Sequence, residues 1–537
     1  MKRHLFSLVL LLTFSAIVQA QIATSSSEPG NKPSDRPLYT LYIRAEIDGW
    51  SDKCPNTHLG VVRTTNGEDE ILQRLGIENR TCIKEINYRF PDATVEFTRA
   101  YRGFEFIGYY VGEKALGKSF TLTKELIGTI TESNPLIAKF KTTEDVTLFY
   151  DDDAKSYRIP AIGKTSTGSL VAVSDYRHSL DDLGRDVHGT GTHRVDLVIR
   201  TSDDNGATWS EKQTIAQGSG IFDADDCGYG DAAIATVGKK ILIMAAAGDV
   251  CFPYGSATSH NRAVRILSKN NGKTWKKKDI SESLFINPDA TIPNGYTAFF
   301  GSGKLAVDED FNGKGKARIY GGMLVKNASA GNNIYVIYTD NLGLTWKPLG
   351  NSTDAVMYAD EPKIEILPNG QILLSARRVG GRHFNIFTYS DKATGDGYWS
   401  SNIDGCDNGG KNGTNGEIYC VDAKRKDGTP VKLLLQSQPK GGAGHYDRKD
   451  VTIWYKEVGT ETAYTTSDIA GNWTEGKQIS TQQSSYSTMI KQADGKIALF
   501  FEEAPCYGDD YTKGYCMVYI PLSINDITDG NYLDADN

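Results

Sequence analysis

The sequence predicts an all-β chain: a six-bladed β-propeller preceded by a small β-sandwich domain. Three observations carry that prediction. An eight-residue turn motif recurs, β-rich segments follow one another at close spacing from Thr147 onward, and the composition suits short strands joined by tight turns, with 55 glycines and 10% aromatic residues in 537.

The recurring motif is Ser202-Asp203-Asp204-Asn205-Gly206-Ala207-Thr208-Trp209. It returns as Ser268-Lys269-Asn270-Asn271-Gly272-Lys273-Thr274-Trp275 and as Thr339-Asp340-Asn341-Leu342-Gly343-Leu344-Thr345-Trp346. The starts lie 66 and 71 residues apart, about one four-stranded blade per copy. Degenerate copies sit near Ser390–Trp399 and Ser467–Trp473. An Asp or Asn at the third position can hydrogen-bond the backbone of its own turn, Gly supplies a left-handed corner, and Trp packs the turn onto the sheet. Pro368-Asn369-Gly370 and Ala493-Asp494-Gly495 read as two-residue hairpin turns in which both central residues can take positive φ. Residues 146–537 then make six blades, whose closure hides sheet edges.

Upstream, residues 1–20 read as a secretory signal peptide. They have a basic start at Lys2-Arg3, an apolar run from Leu5 to Val18 and a small-x-small site at Val18-Gln19-Ala20. Export to the periplasm, the cell surface or the extracellular space follows, and no later segment reaches membrane-spanning length. Residues 21–145 contain short β-rich segments such as Leu41–Ala45, Thr94–Phe97 and Phe104–Val111. They read as a sandwich with a carbohydrate-binding role, making a second sugar contact, weighed against a plain spacer. The formal net charge of −8 argues against nucleic acid as partner. Eight cysteines in an exported chain favour disulfides, with sequential pairing as the simplest scheme among 105. No ligand spacing for a metal is present, so neither metal nor cofactor is expected.

The three turn motifs resemble the Asp-boxes of bacterial sialidases, and Ser156-Tyr157-Arg158-Ile159-Pro160 resembles the F/Y-R-I-P motif of the same family. The resemblance covers residues 147–537 and implies retaining hydrolysis of terminal α-linked sialic acid from sialylated glycans, through a tyrosine nucleophile. Sialic acid carries a carboxylate on its anomeric carbon, which calls for guanidinium groups that are permanently charged and bind bidentately. The family's three arginines map onto Arg158, onto Arg377, which follows Glu361 by 16 residues, and onto Arg448, downstream of Ser437-Gln438-Pro439. A carboxylate nucleophile would be repelled by the substrate's own carboxylate, and a phenol avoids this if a base stands beside it. Tyr486 matches that nucleophile and Glu361 its base. The acid is an Asp beyond a D-x-R element, here Asp175-Tyr176-Arg177. Asp182 is preferred, with Asp181 as the neighbouring alternative. Arg177 and Asp231 match pocket contacts, and Glu502 matches the carboxylate that orients Arg158, with Glu503 facing the other way. The Cys251–Tyr254 loop is expected either to line the N-acetyl pocket or to be structural. The Asp404–Gly416 segment reads as an added loop, and the long stretch between Arg448 and Tyr486, which holds a β-rich segment at Val451–Tyr455, as including an insertion that shapes the rim.

Two rival readings follow. A propeller lectin would keep the turn motifs without needing Tyr486, Glu361 and an Asp in the D-x-R loop together. A trans-sialidase or intramolecular variant would share the pocket and differ only in product.

Overall fold

A computed structural model describes residues 39–52, 55–88, 92–150, 156–179, 182–184, 194–328, 331–442, 444–459, 463–505 and 514–535. The expected signal peptide, Asp181, Cys54 and Cys506 lie outside the described residues. Among these residues no helix is long and apolar enough to cross a membrane.

The chain divides into two units. The first comprises residues up to 47 with 58–100 and 106–140, and the second comprises 48–57, 101–105 and 141–537. The first unit holds a five-stranded sheet in the order Lys84–Tyr88, Tyr39–Asp48, Leu136–Thr142, Phe104–Val111, Lys114–Gly117. Its second sheet has four strands in the order Glu70–Gly76, His58–Thr65, Thr94–Ala100, Ser119–Thr121. Apolar residues alternate inward along them, as in Leu41, Ile43 and Ala45. Phe97 of one sheet stacks on Phe106 of the other at 4.5 Å and meets the edge of Phe140 at 5.2 Å.

The second unit contains six predominantly antiparallel sheets. Five start, in chain order, at Ser156–Lys164, Tyr229–Val237, Thr297–Phe300, Asp360–Ile366 and Glu417–Arg425. The sixth runs Ser484–Lys491, Ile497–Glu503, Cys516–Leu522 and ends on Val146–Phe149, so its outermost strand comes from the beginning of the unit. These strands are apolar on both faces, as in Leu170–Val173 and Leu433–Leu435, because each sheet is covered on either side.

The turn motifs behave as their chemistry requires. Asp204 Oδ1 accepts from Thr208 N at 2.8 Å, Gly206 N donates to Ser202 Oγ at 2.8 Å, and Trp209 Nε1 donates to Gly206 O at 2.9 Å. Asn270 and Asn341 replace Asp without loss: each Oδ1 accepts the equivalent backbone N–H at 3.0 Å, and each Nδ2 adds a bond to the threonine hydroxyl. Asn205, Asn271 and Leu342 share the left-handed corner with the following glycine.

Two sequence expectations are corrected. In the Pro-Asn-Gly and Ala-Asp-Gly hairpins only Gly370 and Gly495 take positive φ. Asn369 and Asp494 instead accept from the backbone two residues on, at 3.0 and 3.2 Å, as type I turns favour. Sequential disulfides do not form at Cys227 or between Cys406 and Cys420. Burial pushes these thiols up to about 11, 11 and 12 respectively, and Cys406 Sγ takes a bond from Gln436 Nε2 instead. In the stretch between Arg448 and Tyr486 the expected strand runs Val451–Val458, and a second, Thr474–Gln478, joins it in the fifth sheet.

Candidate active site

Four of the six opening strands break register at the same place, and the breaks are where the functional side chains sit. The irregularities fall between Arg158 and Ala161, Gly230 and Ala233, Asp360 and Pro362, and Ser484 and Ser487. A bulge leaves a residue unpaired and re-aims its side chain. The local sequence explains two of them, since Pro160 and Pro362 have no N–H to give to a ladder. Ile159 and Asp231 are held in the left-handed region at φ 60° and 55°. Through these bulges Arg158, Asp231, Glu361 and Tyr486 leave the regular alternation of their strands.

Tyr486 is buried at the centre of a charged cluster. Its Oη donates to Glu361 Oε1 at 2.5 Å and accepts from Arg377 Nη1 at 2.9 Å. Arg377 Nη1 also donates to Glu361 Oε2 at 2.8 Å. The Arg158 and Arg448 guanidinium carbons lie 5.4 and 5.6 Å from the centre of the Tyr486 ring. Burial and then the Glu361 charge raise the Tyr486 phenol well above its ordinary pKa, against the pull of Arg377, Arg448 and Arg158. Burial also opposes ionisation of Glu361. Arg377 and the Tyr486 hydrogen bond outweigh it, and the carboxylate is held below its usual pKa. At rest the pair is therefore phenol plus carboxylate, a proton donor facing an ionised acceptor.

Each arginine is fastened at Nε. Arg158 donates to Glu502 Oε1 at 2.7 Å, Arg377 to Gly413 O at 2.6 Å and Arg448 to His445 O at 2.8 Å. Glu502 is fully buried and also accepts from the backbone N–H groups of Ile159 and Tyr486, at 2.8 and 3.2 Å. Glu503 turns the other way and accepts from Ser480 Oγ at 2.7 Å. Tyr515, not singled out in the sequence, places its ring centre 5.2 Å from the Arg158 guanidinium carbon, and burial pushes its phenol up to about 12.

A second cluster surrounds Arg177, which is buried. Its Nη2 reaches Asp182 Oδ1 at 2.8 Å and Asp175 Oδ2 at 3.5 Å, and Asp175 Oδ1 accepts from Asp231 N at 3.1 Å. Asp182 has its side chain 53% exposed, whereas Asp175 is buried. Burial, against the opposing pull of Arg177, pushes Asp175 up to about 7, and burial with the Asp175 and Asp182 charges raises Asp231 as well.

A stability prediction follows from Asp175. Its folded pKa of about 7 lies above the ordinary 3.8, so between those values the folded protein holds a proton that the unfolded chain has released. The associated stabilisation is complete below the lower value and is lost as pH rises through the upper one. Asp175→Asn, which keeps an acceptor for Asp231 N, is expected to remove that decline. Urea titrations from pH 4 to 8 should show the variant gaining on the wild type by on the order of a few kcal/mol toward high pH. Parallel curves would show that Asp175 titrates normally.

The structure thus brings Arg158, Arg377, Arg448, Glu361, Tyr486 and Glu502 into one cluster and Arg177, Asp182 and Asp231 into an adjoining one. The Cys251–Tyr254 loop is structural at Phe252, which packs edge-on against Phe299 at 5.2 Å. The Asp404–Gly416 segment is a loop from residue 406 on, and it is packed inward, with Asn408, Asn412, Thr414 and Asn415 buried. Sequence reasoning missed Asp175, Tyr515, Gly413 and His445. Only Asp175 had a local signal, as the first residue of the D-x-R element.

The family described as BNR repeat-like domain matches residues 143–499. The chain belongs to this family. The chain is also similar to curated bacterial sialidases. It is 26% identical to the sialidase of Paraclostridium sordellii over 325 residues, covering 58% of this chain and 74% of that protein. With the sialidase of Micromonospora viridifaciens it shares 24% over 377 residues, covering 67% of this chain and 52% of the other. Among solved structures, Trypanosoma rangeli sialidase in complex with the inhibitor DANA aligns with a TM-score of 0.51 at 16% identity, over 70% of this chain and 59% of that one. A Hadza microbial sialidase aligns over 91% of this chain and 93% of its own, with a TM-score of 0.51 at 15% identity. The intramolecular trans-sialidase of Ruminococcus gnavus, solved with oseltamivir carboxylate, also aligns with a TM-score of 0.51, at 13% identity, over 72% of this chain and 98% of that one. At these identities the structural likeness speaks to the fold. BNR-family membership and the curated relatives place the chain with the bacterial sialidases.

Proposed function

We propose that this protein is an exported retaining exo-α-sialidase, its six sheets the blades of a propeller and its first unit a β-sandwich. The observation that carries the reading is Tyr486 hydrogen-bonded to Glu361 within reach of three anchored guanidinium groups. The arginines bind the substrate carboxylate, which fixes the anomeric carbon over the Tyr486 ring edge. Tyr486 attacks as its proton passes to Glu361. The raised phenol and lowered carboxylate mean that this transfer accompanies bond formation and does not precede it. Asp182, half exposed at the rim, gives its proton to the departing glycosidic oxygen, which leaves as an alcohol. The ionised Asp182 then takes a proton from water as the water attacks the anomeric carbon, the bond to Tyr486 Oη breaks while Glu361 returns its proton to the phenolate, and two inversions give net retention. Sialylated glycans, glycoprotein and glycolipid alike, are the substrate class.

The test is release of free sialic acid from sialosides by the mature protein. Asp182→Asn is expected to lower kcat about 10²–10⁴-fold on a natural sialoside, and far less on an aryl sialoside whose leaving group needs no proton. Equal losses on both substrates would remove Asp182 as the acid. Transfer to galactose or an anhydro product in place of free sialic acid would move the protein to the trans-sialidase reading.

A further inference from the structure

We propose that His445 is a positioning residue that sets Arg377 and Arg448 at one spacing for the substrate carboxylate, an inference that rests on the sialidase reading above. Two loops, 406–416 and 440–450, are laced together beneath these arginines. Gly413 N donates to Gly444 O at 3.0 Å, and Asn412 Nδ2 donates to Gly442 O and Asp447 O at 3.0 and 2.9 Å. His445 stands where this lacing meets both guanidinium groups. Its ring Nδ1 lies 2.7 Å from Gly413 O, and its own carbonyl accepts from Arg448 Nε at 2.8 Å.

The carbonyl of Gly413 can only accept, so Nδ1 carries a hydrogen, an assignment made from its partner. Arg377 Nη2, 3.2 Å from the same nitrogen, is likewise a donor, so the ring meets that guanidinium by contact and limits its tilt. The oxygen that His445 holds is the one that receives Arg377 Nε at 2.6 Å. A single residue thus acts on Arg377 through its side chain and on Arg448 through its backbone. Arg158, by contrast, is anchored by a buried carboxylate. Glycine at 413 belongs to the same device: a Cβ there would stand 2.9 Å from both Nδ1 and Cε1 of His445, so any side chain must push the imidazole aside.

Substrate and transition state both carry the carboxylate, so misplacing two of its three ligands weakens both and appears in KM. Steady-state kinetics on a fluorogenic sialoside, with competitive inhibition by a sialic acid glycal, separates the outcomes. His445→Ala and Gly413→Ala are each expected to raise KM and Ki together about tenfold, with kcat changed less than about threefold. His445→Asn, whose Nδ2 can occupy the place of Nδ1, is expected to restore both constants to within about threefold of wild type. Urea midpoints taken alongside identify variants that have lost their fold, and His445→Asn and Gly413→Ala keep the test open should His445→Ala be one. Unchanged KM and Ki in a folded His445→Ala or Gly413→Ala, or failure of Asn to restore them, overturns the positioning role while the activity stands. A wild-type protein that releases no sialic acid overturns the sialidase reading, and this inference with it.

Discussion

Tyr486→Phe is expected to lower turnover on the order of 10³-fold or more while a sialic acid glycal still binds within a few-fold of wild type. The substitution removes only the oxygen that donates to Glu361 at 2.5 Å and accepts from Arg377 at 2.9 Å. The ring itself stays packed beside the Arg158 and Arg448 guanidinium groups. Its backbone N–H still bonds Glu502, so the strand keeps its bulge. Binding through the three arginines survives and covalent chemistry does not. Steady-state turnover with glycal inhibition measures both on the same preparation. Turnover near wild type would exclude Tyr486 as the nucleophile, and loss of both turnover and glycal binding would mean that the hydroxyl holds Arg377 in place.

Glu502→Leu is expected to destabilise the protein by about 3–5 kcal/mol, the cost of leaving a charge buried without its partner. This carboxylate is fully buried and is the bonded partner of the Arg158 charge. It also satisfies two backbone N–H groups in different strands, those of Ile159 and Tyr486, which the variant would leave unpaired. Ile159 is held at φ 60°, so loss of its bond also releases a strained turn. A urea midpoint comparison reads the effect. The double variant Arg158→Met/Glu502→Leu, with neither charge present, should recover a substantial part of the loss. A Glu502→Leu loss below about 1 kcal/mol would show that water or another anionic group reaches Arg158.

What was legible in the sequence was what local chemistry writes into a short segment. The Ser202–Trp209 turn closes on itself within eight residues: Asp204 accepts from Thr208 and the Trp209 ring donates to Gly206. Arg158 and Glu361 stand beside prolines that mark their bulges, so a local pattern flags them as well. His445 and Gly413 had no such mark, because the ring and the carbonyl meet only when loops 32 residues apart fold together. The strand Val451–Val458 was legible while its neighbour Thr474–Gln478 was not, for a related reason. The latter, Thr-Glu-Gly-Lys-Gln, is largely polar and lies at the outer side of its sheet, so it lacks the apolar alternation that announces a strand. The cysteines were misjudged because composition counts sulfurs, and pairing depends on where burial and Gln436 place them.

The sixth sheet sets the order in which the unit can assemble. Val146 lies opposite Tyr519, so the outermost strand of that sheet waits for a partner made 373 residues later. Four sheets form from segments close in sequence, whereas this pairing, like that of Glu417–Arg425 with Tyr532–Asp534 in the fifth sheet, joins distant segments. Until then Val146–Phe149 and the open edge of Cys516–Leu522 are each unpaired and apolar, a pair of edges that another copy could cap. Once joined, the two segments cover each other's edge and complete the sixth sheet. Parting that short ladder uncovers both edges again, so bonds formed late in folding weigh on how long the folded state lasts.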